Sequence, residues 1–503
     1  MPVRFAHVGR DLARLFGVNL VTRALGIGAL VVYARLLPPV ELAALPVFFL
    51  LGSFVTVPCN FGFFPTLMRE VPLFLESDRP AALAQIRTVV LVVGGGILAI
   101  ALGYVVLAPG IAQLFFGTPA WTWLILWMVP GTVARGLDDI TTFILRSTGE
   151  FRHLAQKKLV AEVTTPIAAI GLIFPFGVRG LIAGVTLGVI AGLVWAIYCV
   201  RHYVFQSCTA APVAPLLRRS KPYYVESLLF FLTQQGDQAL VGALLSPVAL
   251  SSYYVARRIP DAMALMLLSV EEVMGPTLAR TKAGAPADRN QMFAGFAITV
   301  AAFVVPIAAL TACLAPAYTR LVGAQSYGGV TPAVAILSLG LIAQGAMTLV
   351  SQSALALGHP ADRLKVTVTF ASLLLAFTAG TAGLGLTAVA VGRVTAIVVA
   401  TLVGARLLQH VLPAVPWQRV AKLLVPTALL VATLFALQVL SDNLWFVPAY
   451  GAAAVGVFAI AVWVGLDPMD RRRLVELWRG RGAAGEHDEP RQLLDPPPGE
   501  PGQ

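Results

Sequence analysis

Apolar stretches of about twenty residues follow one another from near residue 13 to near residue 466, each long enough for one helix to cross a bilayer. Water is absent from the hydrocarbon, so each crossing segment must satisfy its own backbone, as an α-helix does. The expected fold class is therefore all-α and polytopic. Charged residues make up only 12% of the 503, where a soluble domain carries roughly 25%, so a soluble fold is excluded. Fourteen spans are predicted, over 13–37, 43–66, 87–109, 119–145, 158–176, 179–203, 223–246, 249–279, 292–315, 330–358, 363–383, 386–410, 418–441 and 445–466. Residues 1–12 read as a basic amphipathic cytoplasmic lead-in, and 467–503, rich in Pro, Gly and Glu near the end, as a disordered cytoplasmic tail. The start Met1-Pro2-Val3-Arg4 shows no cleavable signal pattern, so the first span is expected to be retained.

Basic residues orient the spans. Starting with the N-terminus inside, the inner segments collect most of them, including Arg4, Arg10, Arg14, Arg69, Arg79, Arg87, Arg152, Arg218, Arg219, Lys221 and the Arg471–Arg473 run. The outer ends keep Arg35, Arg179 and Arg320. That asymmetry places both termini in the cytoplasm, and it accounts for the net charge of +11 without a nucleic-acid partner. Trp121, Trp123 and Trp127 gather at an outer helix end, as in an aromatic belt.

An internal repeat organises the chain. Leu36-Leu37-Pro38-Pro39-Val40 returns as Leu244-Leu245-Ser246-Pro247-Val248, 208 residues on, and Pro65-Thr66-Leu67-Met68-Arg69 returns as Pro276-Thr277-Leu278-Ala279-Arg280, 211 residues on. Gly149 is echoed by Gly358 and Gly177 by Gly383. Six spans separate the copies, so both point the same way about an axis along the membrane normal. Two six-helix lobes result, 13–203 and 223–410, joined by a cytoplasmic linker over 204–222 and followed by two more helices within 411–466.

Ionisable groups inside spans cost at least ~2.5–3.5 kcal/mol and mark function or pairing. Arg23, one turn beyond Asn19, has no acid within four residues. It either pairs with an acid on another span or faces an anion. Arg257 and Arg258 share the nearby Asp261, and Arg393 has no local acid. Arg135 has Asp138 and Asp139 at helical spacing, which predicts an internal pair. Gln234, Asp237 and Gln238 share one face of the seventh span, read as a cavity wall. Asp237 is a candidate for proton or sodium coupling; the competing reading is a salt bridge to Arg257 or Arg258.

No catalytic, cofactor-binding or metal-ligand pattern is found, so an enzyme is not expected. Cys59, Cys199, Cys208 and Cys313 lack CxxC spacing and read as small apolar residues. Gly94-Gly95-Gly96 reads as close helix packing.

The Leu-Leu-Pro-Pro turn, Ser252-Tyr253-Tyr254-Val255-Ala256-Arg257-Arg258, the Pro-Thr-Leu-x-Arg ends, Gly149-Glu150-Phe151-Arg152 and Leu321-Val322-Gly323-Ala324-Gln325-Ser326-Tyr327 together resemble the polysaccharide-exporter branch of the multidrug/oligosaccharidyl-lipid/polysaccharide exporter superfamily. The resemblance implies a MATE-like fold in the bacterial inner membrane. It implies a flippase that moves undecaprenyl-pyrophosphate-linked oligosaccharides by alternating access for surface polysaccharide such as O-antigen, alongside a polysaccharide polymerase and glycosyltransferases. Arg23, Arg258, Arg393, Asn19 and Arg257 are the expected contacts to the anionic head group. A drug/cation antiporter of the same superfamily is disfavoured, since the first span carries a cation. Lipid II flippases resemble the chain at Arg23, Arg258 and Asp237, yet Ala29 stands where they carry a second arginine. A membrane-embedded glycosyltransferase or polymerase is disfavoured by the short outer loops.

Overall fold

The structure, a computed structural model, describes residues 5–206, 209–280, 286–323 and 327–409. Spans thirteen and fourteen, the tail, Cys208 and Ala324-Gln325-Ser326 of the tenth-span motif lie outside the described residues. The first half of the chain forms α1 (Phe5–Leu36), α2 (Pro39–Leu42), α3 (Ala44–Asn60), α4 (Phe63–Ser77), α5 (Arg79–Phe116), α6 (Thr122–Ser147), α7 (Phe151–Phe176) and α8 (Val178–Val204). The second half forms α9 (Val213–Leu244), α10 (Pro247–Arg280), α11 (Pro286–Cys313), α12 (Ala315–Val322), α13 (Val330–Ala356), α14 (Pro360–Thr381) and α15 (Leu386–Leu407). No strand occurs among the described residues. Each of the first twelve predicted spans falls on a helix.

Three boundaries differ from expectation. The lead-in is continuous with the first span in α1. The second span ends at Asn60, where Phe61 (φ 48°) and Gly62 (φ 76°) turn the chain in left-handed conformations, and Pro65–Arg69 opens a separate helix, α4. The linker is shorter than predicted, because α9 already begins at Val213.

The repeat shows in the backbone. Pro39 opens α2 and Pro247 opens α10, positions that need no amide donor. One cap closes both α6 and α13. Glu150 N–H donates to Leu145 O (2.9 Å) and Gly149 N–H to Arg146 O (3.2 Å); His359 N–H donates to Ala354 O (2.8 Å) and Gly358 N–H to Leu355 O (3.2 Å). Gly149 (φ 75°) and Gly358 (φ 90°) supply the left-handed residue this cap requires. The expected Gly177–Gly383 echo shifts by two residues. Gly177 precedes α8, and its counterpart before α15 is Gly385, 208 residues later.

Helices α7 and α8 meet backbone to backbone. Gly180, Gly184, Gly188 and Gly192 form a stripe at four-residue spacing. A Cβ on Gly184 would lie 2.2 Å from Ala169 Cα, and one on Gly180 only 1.9 Å from Leu172 O. Small residues at this period let helices approach closely where apolar burial gives little drive between them. In the Gly94–Gly96 triplet Gly96 is tightly packed against Cys59, while a Cβ on Gly94 or Gly95 meets nothing within 4 Å among the described residues.

Among the described residues, eight segments are by length and composition apolar enough to cross a membrane, and this is a multi-pass membrane protein. The other long helices, α1, α6, α9 and α10, are those carrying Arg23, Arg135, Asp237 and the Arg257-Arg258 pair. The two halves touch at both ends. At the basic face, Thr66 and Ser220 hydroxyls lie 2.8 Å apart and Arg219 Nη1 is 2.9 Å from Glu70 Oε2. At the opposite face, Arg35 Nε donates to Leu321 O (2.7 Å) and Tyr327 OH to Ala34 O (3.4 Å).

Candidate functional site

The intramembrane charges sort into three groups. The first lies inside the second half. Asp237 on α9 is fully buried (0% exposed). Its Oδ1 receives Arg257 Nη1 at 2.7 Å, and its Oδ2 receives both Arg393 Nη1 and the Tyr253 hydroxyl at 2.5 Å. Arg257 Nε also pairs with Asp261 Oδ2 at 3.2 Å, one helical turn on. Two guanidiniums and two carboxylates thus balance in charge. The hollow beside them, between Arg257, Asp261, Gln344 and Arg393, holds about 10 Å3, room for about one water. Of the face predicted as a cavity wall, Asp237 and Gln238 are buried and Gln234 is exposed. The structure therefore shows the salt bridge that competed with ion coupling at Asp237, made with Arg257 and joined by Arg393.

The second group lies inside the first half and corrects an expectation. Asp138 pairs with Lys157 of the next helix, Nζ to Oδ1 at 2.8 Å, and Lys157 also donates to Thr142. Asp139 Oδ2 accepts from Thr56 on α3 (2.9 Å). The predicted Arg135 pair is not formed. Arg135 reaches across α3 instead, with its Cδ 2.8 Å from a Cβ position on Gly52 and its Cζ 5.4 Å from the Phe49 ring centre. The signal for Lys157 was a lysine nineteen residues past Asp138, at the start of the following span. Local helical spacing cannot see that contact.

The third group sits where the halves meet. Arg258 on α10 projects to α1, its Nη2 3.0 Å from a Cβ position on Gly26, so that glycine leaves the guanidinium room. Its Cζ lies 5.7 Å from the centre of the Tyr254 ring, and that ring stacks on Phe49 of the first half at 6.4 Å. Arg23, one turn before Gly26, is half-buried and lies in the field of Arg258, of Glu162 on α7 and of Asp261. Among the described residues, neither Arg23 nor Arg258 has a carboxylate within 4.0 Å. Close by, the buried Tyr33 hydroxyl (4% exposed) has no hydrogen-bond partner among the described residues. Tyr33 lies ten residues beyond Arg23, nearly three turns along the same helix, a periodicity visible in the sequence once Arg23 is taken as the reference. Side-chain contacts of Asn19 lie outside the described residues. Chemically, two guanidiniums and a phenol from both sides of one seam, without carboxylate partners among the described residues, are donors of the kind that suit a multivalent anion.

The family model for "Polysaccharide biosynthesis protein" matches residues 32–332. The chain belongs to this family. Its fold is that of the multidrug/oligosaccharidyl-lipid/polysaccharide exporters. The lipid II flippase MurJ in an inward closed conformation aligns with a TM-score of 0.73 at 16% identity, over 92% of this chain and 99% of that one. An inward-facing multidrug-resistance MATE transporter aligns at 0.62 and 16% identity, over 79% and 97%. A transporter of the same superfamily from Pyrococcus furiosus, described as having a binding pocket of reverse polarity, aligns at 0.56 and 16%, over 80% and 95%. No curated protein matches the sequence. Arg23 and Arg258 lie at the seam between the two halves of this fold.

Proposed function

We propose that this family member is a flippase for a polyprenyl-pyrophosphate-linked oligosaccharide used in surface polysaccharide synthesis, and that Arg23 and Arg258 hold the pyrophosphate between the halves. The observation that carries this reading is the pair of intramembrane guanidiniums at the seam, one from each half, without a carboxylate within 4.0 Å among the described residues. An anion cannot enter hydrocarbon uncompensated, and guanidinium offers charge-assisted, two-pronged bonds to phosphate oxygens. The Tyr33 hydroxyl adds a donor, and the polyprenyl tail stays in lipid. Arg257 and Arg393 support the site from behind through Asp237 rather than touching the head group. Coupling to protons or sodium at Asp237 would require one of its guanidiniums to swing away. A cationic drug as substrate would meet repulsion at Arg23 and Arg258.

The test is export of surface glycan in a deletion strain complemented with variants that accumulate normally in the membrane. Arg23→Ala and Arg258→Ala are each expected to lower export roughly tenfold or more, as befits loss of a charge-assisted contact. Arg258→Lys is expected to recover only part of it, since an ammonium lacks the two-pronged geometry. Undiminished export in the Arg23→Ala/Arg258→Ala double variant would sink the assignment. Competition for the purified protein between lipid II and the polyprenyl-pyrophosphate oligosaccharide separates the two lipid-linked substrates.

A further inference from the structure

A second cluster of cations lies away from the seam's centre, at the basic face, and the flippase reading makes no use of it. There α4 and α9 enclose a cleft of about 500 Å3, the size of a small-ligand pocket. Arg69, Arg219, Tyr223 and Thr66 form its polar side, and Leu73 and Phe74 its apolar side. Arg69 Nη1 donates to the Tyr223 hydroxyl at 3.2 Å and has no carboxylate within 4.0 Å among the described residues. Arg219 is shared with Glu70, the one acid of the cleft, which also accepts from Gln85 Nε2 at 3.3 Å. Two guanidiniums therefore face one carboxylate.

The walls say what kind of anion fits. Leu73 is 66% exposed and Met68 44% exposed on α4, while Phe63, Phe64, Leu67 and Val71 of the same helix are buried. α4 thus has apolar surface left over beside its cations, at the end of α3 where the chain leaves the bilayer. Apolar surface together with arginine at that depth is the chemistry of a lipid-facing interfacial helix. A free phosphate would use the guanidiniums and leave Leu73 in water.

We propose that the α4–α9 cleft is a binding site for the headgroup of an anionic phospholipid, with the phosphate on Arg69 and Arg219 and the start of an acyl chain against Leu73. The cleft is built from both halves. Glu70 and Arg219 hold the halves together there, and Gly62 allows the contact, since a Cβ on it would lie 2.2 Å from Ser220 O. A bound phosphate competes with Glu70 for Arg219, so the lipid sets how firmly the basic face is fastened.

The experiment is native mass spectrometry of the full chain, delipidated in detergent and titrated with phosphatidylglycerol or phosphatidylcholine. Phosphatidylglycerol is expected to be retained roughly tenfold more strongly than phosphatidylcholine, from about two arginine contacts at an interface. Arg69→Gln, which leaves the Glu70–Arg219 pair in place, is expected to remove most of that preference. Arg152→Gln, an exposed change predicted to lie on the same face, is expected to leave it intact. Unchanged preference in Arg69→Gln overturns the site. An equal loss in Arg152→Gln overturns it as well, since diffuse surface charge then explains retention. Displacement of the lipid by millimolar inorganic phosphate would reduce the cleft to a simple anion site. None of these readouts depends on flipping, so this proposal and the proposed function fail separately.

Discussion

Asp237→Asn is expected to cost the folded protein roughly 3–5 kcal/mol, the usual penalty for removing one partner of a buried ion pair. The reason lies in the charge count. Arg257, Arg393, Asp237 and Asp261 are neutral together, and three of them are buried. Asparagine keeps the shape and leaves one net positive charge in a hollow with space for about one water. A lower melting temperature in detergent, with less protein in the membrane fraction, is the expected readout. Adding Arg393→Gln to Asp237→Asn restores neutrality through Arg257 and Asp261, and is expected to recover a large part of the loss. Recovery distinguishes charge imbalance from lost packing. If Asp237→Asn melts with the parent, the carboxylate does not hold these helices together.

The second large effect is expected at Gly184. Valine there must place its side chain where Ala169 Cα already sits, 2.2 Å from the Cβ position. Backbone cannot yield as a flexible side chain can, so α7 and α8 must separate. Overpacking a well-packed site costs roughly 1–3 kcal/mol, and a clash with backbone belongs at or above the top of that range. Gly184→Val is expected to abolish accumulation of folded protein, scored by monodisperse elution. Gly95→Ala supplies the control, because its added methyl meets nothing within 4 Å. Equal behaviour of the two variants would mean that the glycine stripe does not set the α7–α8 approach.

Much of the architecture was written in the chain at the level of period and length. Apolar runs located the helices because hydrocarbon admits little else, and the repeat at about 208 residues predicted matching turns that the Gly149 and Gly358 caps display. What failed were contacts between segments distant in sequence. Asp138 chose Lys157 over Arg135, one turn away, because helix packing set the distance and local spacing did not. The Asp237–Arg393 bond joins residues 156 positions apart, so no window on the sequence could reveal it. Arg23 and Arg258 were legible as costly charges. That they have no carboxylate partner among the described residues, while Arg257 and Arg393 do, is information only the packing contains.

The bolts at the two rims have an electrical consequence. Glu70–Arg219 at one end and Arg35–Leu321 at the other join the two halves at both rims. If the chain carries the lipid-linked cargo proposed above, one of these rims would have to part while the other stays shut, so that the cargo crosses without short-circuiting the ion gradients held across the membrane.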